Sequence, residues 1–521
     1  MVTRVIEKYD QTYNHFPRVV NSLCPECLKP LKAQISIKGT SVVMEKSCPN
    51  HGKFTEILSN DKDFFLRMEK LSFPQYLGVS NPQTTKQNSC PFDCGLCPEH
   101  KSPTMLGVID LTNRCNFKCP VCFATSNASS FLFEPSFEQV KKMMLTLHNL
   151  KPVHAPCLQF SGGEPTLHPR FFDILREARK IGFTQIQIGT NGLSFNNEEF
   201  AKKASQAGLN VLYLQFDGVT DRVYKKIRGR NALEIKKKAI ENAHKYHLRT
   251  ILVPTIIKGV NDKEIGSIIR FAIAHIDSVL GISFQPVALT GRIPEKEKNK
   301  MRFTLTDLAA ETSKQFPTLQ KKDWFPLSIT SPFSRFMEVL TGKPHTQISC
   351  HSHCGMGAYL IVDPENQTSV PLSSFLDVVG LMSKLQEIYE EHQKKKYFKR
   401  LRAKLNILHY SKQLEEFYNQ SKAPDKMPFK EFISYLQRFL KKENFSNNKT
   451  KRKNLDNQKW KLLIIVAMHF QDCYNYEAER SQRCVVHHAA PDGKLYPFCA
   501  YNCGPYFRSK VEKQFSKPLK K

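Results

Sequence analysis

The stretch Asp110-Leu-Thr-Asn-Arg-Cys115-Asn-Phe-Lys-Cys119-Pro-Val-Cys122-Phe-Ala, with Cys157-Leu-Gln-Phe-Ser-Gly-Gly-Glu-Pro165 after it, decides the reading of this chain. Each segment opens on an apolar run of strand length and ends in a loop. Cys115, Cys119 and Cys122 space three thiolates along one loop. Soft thiolates suit iron–sulfur clusters, and three ligands leave one metal position open for a small molecule. Taken alone, the triplet also fits a zinc knuckle, or an electron-transfer cluster completed by a distant cysteine. Gly162 and Gly163 permit close backbone approach at the next strand's end. Glu164 and the exposed carbonyls there offer acceptors to a ligand's ammonium group.

Outward from this pair, short apolar runs alternate with stretches of helical period. The runs are Gly107–Leu111, Cys157–Phe160, Gln185–Gly189, Val211–Phe216, Ile251–Thr255 and Ile282–Val287. Between them fall helices at Phe137–Leu147, Pro169–Ile181, Glu198–Ala207, Ala232–Tyr246 and Lys263–His275. Alternating β and α predicts a parallel sheet with right-handed crossovers, open or curled into a partial barrel. Ligand sites in such sheets lie at the carboxyl ends of the strands. Gly189-Thr-Asn191-Gly and Gln215-Phe-Asp217-Gly sit at such ends, although Asn, Asp and Gly are also ordinary at strand-to-loop boundaries. Cys157 begins an apolar strand and reads as a buried structural thiol.

The C-x3-C-x2-C loop followed by Gly-Gly-Glu-Pro one strand later resembles the radical S-adenosylmethionine (SAM) superfamily over residues 105–290. The resemblance implies an α/β fold, a partial (β/α)6 barrel. It implies a [4Fe–4S] cluster on Cys115, Cys119 and Cys122 that cleaves bound SAM reductively, so that a 5′-deoxyadenosyl radical abstracts a substrate hydrogen. It also implies SAM contacts from Gly162, Gly163, Glu164, Asn191 and Asp217, and a flavodoxin- or ferredoxin-type reductant. Val121 departs from the aromatic residue often found before the last cysteine.

Outside the barrel the chain divides into a metal-binding knuckle at 1–60, a cysteine segment at 61–104 and a Cys-containing α+β extension at 291–521. Cys24, Cys27, Cys48 and His51 form a ligand set for zinc or a single iron, flanking a strand-like stretch from Ala33 to Glu45. Cys90, Cys94, Cys97, Cys350, Cys354, Cys473, Cys484, Cys499 and Cys503 remain. At four thiolates per cluster they fit two auxiliary [4Fe–4S] clusters with one cysteine spare, structural zinc being the rival. Cys90, Cys94 and Cys97 are expected to take a fourth ligand from Cys350 or Cys354. The second cluster would draw on Cys484, Cys499 and Cys503, with Cys473 in reach. This layout narrows the resemblance to the subgroup of tetraether lipid synthase and dihydropterin methyltransferases, which implies C–C bond formation or methylation at an unactivated carbon.

Sixteen cysteines in a 521-residue chain would mean disulfides in a secreted protein. The N-terminus has no signal-peptide pattern, and no run approaches the roughly 18 apolar residues of a membrane span. A cytoplasmic protein with metal-bound cysteines is therefore expected. The formal charge of +29 suggests an anionic partner or a solvated Lys-rich surface. Basic stretches concentrate between residues 380 and 460, where peripheral contact with anionic headgroups is worth about 1 kcal/mol per Lys or Arg. On that ground a lipid substrate is favoured. The alternatives are a pterin-like small molecule methylated with a second SAM, a peptide or RNA substrate, and a non-catalytic iron–sulfur or zinc scaffold. No RNA-binding module is recognised, so nucleic acid is not favoured.

Overall fold

A computed structural model describes residues 15–73, 77–127, 130–293, 298–394, 407–440, 458–503 and 506–518. The basic stretches at 395–402 and 441–453 lie outside the described residues.

Alternating β-branched and polar residues give four N-terminal strands, β1 (Arg18–Leu23), β2 (Pro30–Lys38), β3 (Ser41–Cys48) and β4 (Gly52–Ser59), in an antiparallel meander. The stretch read as one strand from Ala33 to Glu45 is a hairpin. Gly39 reverses the chain at φ +61°, a conformation that costs a residue without a Cβ little. Helix α1 (Lys62–Lys70) follows, capped by the Asp61 carboxylate, which accepts from the Phe64 amide at 3.0 Å.

The six strands of the repeating unit are β5 (Leu106–Thr112), β6 (Cys157–Gly162), β7 (Gln185–Thr190), β8 (Val211–Gln215), β9 (Arg249–Val253) and β10 (Val279–Pro286). Their helices are α2 (Phe137–His148), α3 (Phe171–Ile181), α4 (Glu198–Gln206), α5 (Asp221–Arg228), α6 (Leu233–Lys245) and α7 (Ile265–Ala274). The sequence pattern missed α5. It is two turns long, buries only Val223, Tyr224 and Ile227, and stops at Gly229 with φ +75°. So short a helix shows too little of its period to be read from hydrophobicity alone.

Neighbouring strands from β5 to β10 pair in parallel. The extension then adds strands to both ends of this sheet: β11 (Gly355–Asp363), β12 (Lys461–Met468), β13 (Val486–Ala489) and β14 (Leu495–Pro497). The order is β11-β12-β10-β9-β8-β7-β6-β5-β13-β14, with β12 parallel to β10 and β13 parallel to β5. Among the described residues no ladder joins the β11 end to the β14 end, so the barrel is partial.

The two faces of the sheet differ. Ile109, Leu158, Phe160, Ile186, Ile188, Leu212, Leu214, Ile282 and Phe284 are buried in one apolar cluster with the helices. Each such side chain contributes about 1.5–3 kcal/mol by leaving water. By the strand's period of two, the opposite face carries Asp110, Gln159, Ser161, Gln187, Tyr213, Gln215, Ser283 and Gln285. That inner face is polar.

The meander docks through buried charge. Arg302 donates to Glu56 of β4 at 2.7 Å and to Asp472, just past β12, at 2.7 and 3.2 Å. Lys46 of β3 donates to Ser22 Oγ and to the Cys473 carbonyl.

Candidate active site

Cys115, Cys119 and Cys122 follow β5, and all three thiols are partly exposed. Their loop is held by backbone. Asn127 clamps it, accepting from the Cys115 amide at 3.0 Å and donating to the Cys115 and Phe117 carbonyls. Cys122 exchanges both backbone hydrogen bonds with Arg292.

The glycine pair explains itself here. The Gly163 amide donates to the Thr112 carbonyl at 2.7 Å, and the Glu164 amide to the Arg114 carbonyl at 2.8 Å. A Cβ on Gly162 would lie 2.3 Å from the Thr112 oxygen, and one on Gly163 2.2 Å from the Arg114 oxygen. Glycine is therefore what lets the end of β6 carry the cysteine loop.

Glu164 is 1% exposed. Its Oε1 accepts from the Thr166 and Thr190 hydroxyls at 2.7 and 2.9 Å, and its Oε2 from the Asn191 amide at 2.9 Å. Burial raises its pKa, while these donors pull the other way. The carboxylate thus ties the end of β6 to the end of β7. Asn191 continues the link, since its side-chain amide donates to Asn116 Oδ1 at 2.6 Å and lies 4.0 Å from Cys115 Sγ.

Asp217 is fully buried and held by Arg228, whose Nε and Nη2 donate at 2.7 and 2.8 Å. The Thr255 amide and the Gln215 side chain also donate to it. Burial alone would lower the Arg228 pKa, but Asp217 overrides it and raises it. Arg228 also donates to the Val121 carbonyl at 3.1 Å, so α5 places a cation against the cysteine loop. Burial raises the Cys119 thiol, and Arg228 partly offsets this. Burial pushes Cys115 up to about 12. Lys236 of α6 donates to the Asn191 carbonyl at 2.5 Å and to Gln215 Oε1 at 2.9 Å, and burial pulls it down to about 7. Sequence reading missed Arg228 and Lys236. The signal available was a basic run ending in Gly229, together with a lysine on the inner side of an otherwise amphipathic helix.

Three partly exposed thiols on one fixed loop, with a buried guanidinium behind them, fit a three-thiolate iron–sulfur cluster with one open iron. Among the described residues, the groups whose ligand atoms all lie within 4.8 Å of one another are Cys24, Cys27, Cys48 and His51, and His351, Glu477 and Glu479. The first is the expected knuckle set. The Cys48 and Cys24 sulfurs lie 3.5 and 3.7 Å from His51 Nδ1.

Cys350 or Cys354 is the expected fourth partner of Cys90, Cys94 and Cys97; in the structure Cys350, Cys354 and Cys484 pack in one cluster with Val108, Val485 and Val486. Burial pushes Cys350 up to about 12 and Cys499 to about 11, with the Cys354 thiol adding to both, and Cys499 adds to burial at Cys484. The Cys503 sulfur is 3.0 Å from Cys473 Sγ, and the two pack with Tyr476 and Cys90. Cys90 and Cys94 hydrogen-bond each other, and Cys90 lies 3.7 Å from the Tyr476 hydroxyl. The cause is topological: β11 and β13 bring Cys354 and Cys484 to the open seam from its two sides. Cys157 is buried and pushed up to about 12, as a structural thiol is.

Residues 109–272 match the radical SAM superfamily, and residues 16–60 match the HMPTM N-terminal zinc ribbon domain. The chain is 38% identical over 501 residues to the 7,8-dihydro-6-hydroxymethylpterin dimethyltransferase of Methanocaldococcus jannaschii, covering 96% of this chain and 95% of that protein. It is 31% identical over 182 residues to the GTP 3′,8-cyclase of Limosilactobacillus fermentum, 34% of this chain and 54% of that one. The crystal structure of Streptococcus suis SuiB aligns with a TM-score of 0.34 at 14% identity, covering 41% of this chain and 46% of that one. With its cysteine loop, glycine pair, partial barrel and zinc ribbon all in place, the chain is a radical SAM enzyme and belongs to the family of the 7,8-dihydro-6-hydroxymethylpterin dimethyltransferase.

Proposed function

We propose that this enzyme methylates a carbon of a dihydropterin-like ring. The observation that carries this reading is the polar inner face of the barrel. Gln187 Nε2 donates to Gln159 Oε1 at 2.6 Å, and Gln185 Nε2 to Gln187 Oε1 at 2.7 Å. Tyr213 pairs with Ser283 at 2.7 Å and accepts from Gln285 at 2.9 Å. A ring with nitrogen donors and a carbonyl can exchange hydrogen bonds with these groups. An acyl chain would offer nothing to the donors and acceptors these pairs leave over, at roughly 1–3 kcal/mol for each buried group left without a partner. This favours the pterin alternative over the lipid substrate expected from sequence, and the near-full-length relative supports it. Among the described residues no helix is long and apolar enough to cross a membrane.

Cys115, Cys119 and Cys122 hold the [4Fe–4S] cluster, which when reduced cleaves bound SAM and supplies the hydrogen-abstracting radical. Gly162, Gly163, Glu164 and Asn191 shape the SAM side of the site by fixing the ends of β6 and β7 around the cysteine loop. Asp217 acts through Arg228, whose charge faces the loop. In the ribbon, Cys24, Cys27, Cys48 and His51 hold zinc, which three sulfurs and one imidazole suit. Cys350, Cys354, Cys484 and Cys499 hold one auxiliary cluster. Cys90, Cys94 and Cys97 hold a second, with Cys473 or Cys503 as the fourth ligand. A flavodoxin- or ferredoxin-type protein supplies the electron.

The test is anaerobic turnover of the reconstituted protein with SAM, dithionite and 7,8-dihydro-6-hydroxymethylpterin, read by mass spectrometry. The expected product carries one or two added methyl groups. Deoxyadenosine formation without pterin methylation, together with modification of a lipid extract, would return the lipid reading.

A further inference from the structure

Asp110 is the inner-face carboxylate of β5, in register with Ser161 of β6 and five residues ahead of Cys115. It is 5% exposed, and among the described residues its Oδ1 has no hydrogen-bond partner. Its Oδ2 accepts from Arg508 at 2.7 Å. Arg508 lies on helix α9 (Tyr506–Gln514), which follows α8 (Phe498–Asn502), and it also bonds Asn502 and Glu512. Buried carboxylate oxygens are ordinarily satisfied, and each can accept two donors. One oxygen here is held by a guanidinium, and the other has no partner among the described residues.

Imidazole, amide and phenyl groups surround this carboxylate. His488 of β13 lies on the same sheet face, its Nδ1 3.8 Å from Asp110 Oδ2, and Asn502 Nδ2 approaches its Nε2 at 3.2 Å. Phe498 stacks on His488 at 5.0 Å between centroids, and Phe123, the neighbour of Cys122, stacks on Phe498 at 5.5 Å. Phe123 and Phe498 are only half-buried. A carboxylate beside a short aromatic wall thus connects the inner face to the cysteine loop.

We propose that Asp110 anchors the substrate by its pyrimidine edge, accepting the adjacent N3–H and 2-amino N–H of the pterin ring on its two oxygens, with Arg508 as the positioning residue that fixes the carboxylate. The proposal rests on the pterin reading above. Two parallel N–H donors match a carboxylate as a guanidinium does, and such charge-assisted pairs are strong and directional. The same edge with oxygen in place of the 2-amino group presents an acceptor to the carboxylate and is rejected.

The test measures equilibrium binding of the dihydropterin and its 2-oxo (lumazine-type) counterpart to SAM-bound holoenzyme, in wild type and Asp110→Asn, with iron counted in each. Wild type is expected to prefer the pterin by at least about 100-fold, because a site built to receive an N–H rejects an analogue lacking it. Asp110→Asn, whose amide offers both a donor and an acceptor, should lose most of that preference. Wild type binding both ligands equally, or Asp110→Asn keeping the full preference, overturns the anchor. Wild type binding neither overturns the pterin reading itself. The wild-type preference decides the matter even where the variant fails to retain iron.

Discussion

The zinc ribbon and the cysteines at the barrel seam are brought together by opposite means. In the ribbon, Cys24, Cys27, Cys48 and His51 lie within one short meander, and their ligand atoms all fall within 4.8 Å of one another. At the seam, Cys350 and Cys354 precede β11, Cys484 precedes β13, and Cys499 lies in α8. The ribbon's geometry is set by two turns. The seam's geometry exists only once both ends of a long sheet have come round to face each other. A local site should therefore survive damage elsewhere, whereas a seam site should report on the barrel.

The largest expected effect comes from replacing Cys115, Cys119 and Cys122 together by Ala. SAM cleavage should vanish, while ribbon metal and seam iron remain, because the loop's thiols support no strand; metal counting and a deoxyadenosine assay check both. Retained cleavage would break the assignment. Next is Arg302→Ala, which removes the cation between partly buried Glu56 and buried Asp472. Stripping one partner from such a network costs about 3–5 kcal/mol. Denaturant unfolding should show that loss with ribbon metal still bound, and simultaneous loss of ribbon metal would mean that the ribbon is not autonomous.

A smaller effect concerns pH. Lys236 is pulled down to about 7 by burial, whereas the unfolded chain returns it to its ordinary value near 10.5. Between those values the unfolded state binds more protons, so Lys236 makes stability rise with pH across that window, by up to ~1.4 kcal/mol per unit, and it gives none of that gain below about pH 7. Comparing wild type with Lys236→Met should show this slope in the wild type alone. Equal slopes would remove Lys236 from the barrel's charge balance. The smallest effect on the barrel is expected for His51→Ala, which should lower ribbon metal content and leave seam iron unchanged. Loss of seam iron in that variant would erase the contrast between the two sites.

Much of the barrel was legible before the structure. Six strands were read at nearly their observed positions because their outer faces are continuous apolar runs, such as Leu158 to Phe160 and Ile186 to Ile188. Helix α5 was not, and with it went Arg228, the cation behind Cys119. Asn191 and Asp217 read as SAM contacts in the sequence; the structure adds that Arg228 holds Asp217 and that Asn191 donates to Asn116. A strand-end polar residue looks the same in sequence whether it faces a ligand or a neighbouring loop. The grouping of the auxiliary thiols is not legible in the sequence, because spacing along the chain carries no information about which sheet edges meet.

The amino-acid sequence by itself determined the chemistry: three thiols at loop spacing, a glycine pair one strand later, and a four-ligand ribbon. Each depends on residues close together in the chain, so local geometry suffices. Only the tertiary structure decided that the barrel's inner face is linked by amides, that Cys350, Cys354 and Cys484 pack together, and that Asp110 has one oxygen held by Arg508 and the other without a partner among the described residues. Those facts depend on contacts between separate strands and segments, up to 398 residues apart for Asp110 and Arg508, which the packing of the sheet and its seam brings together.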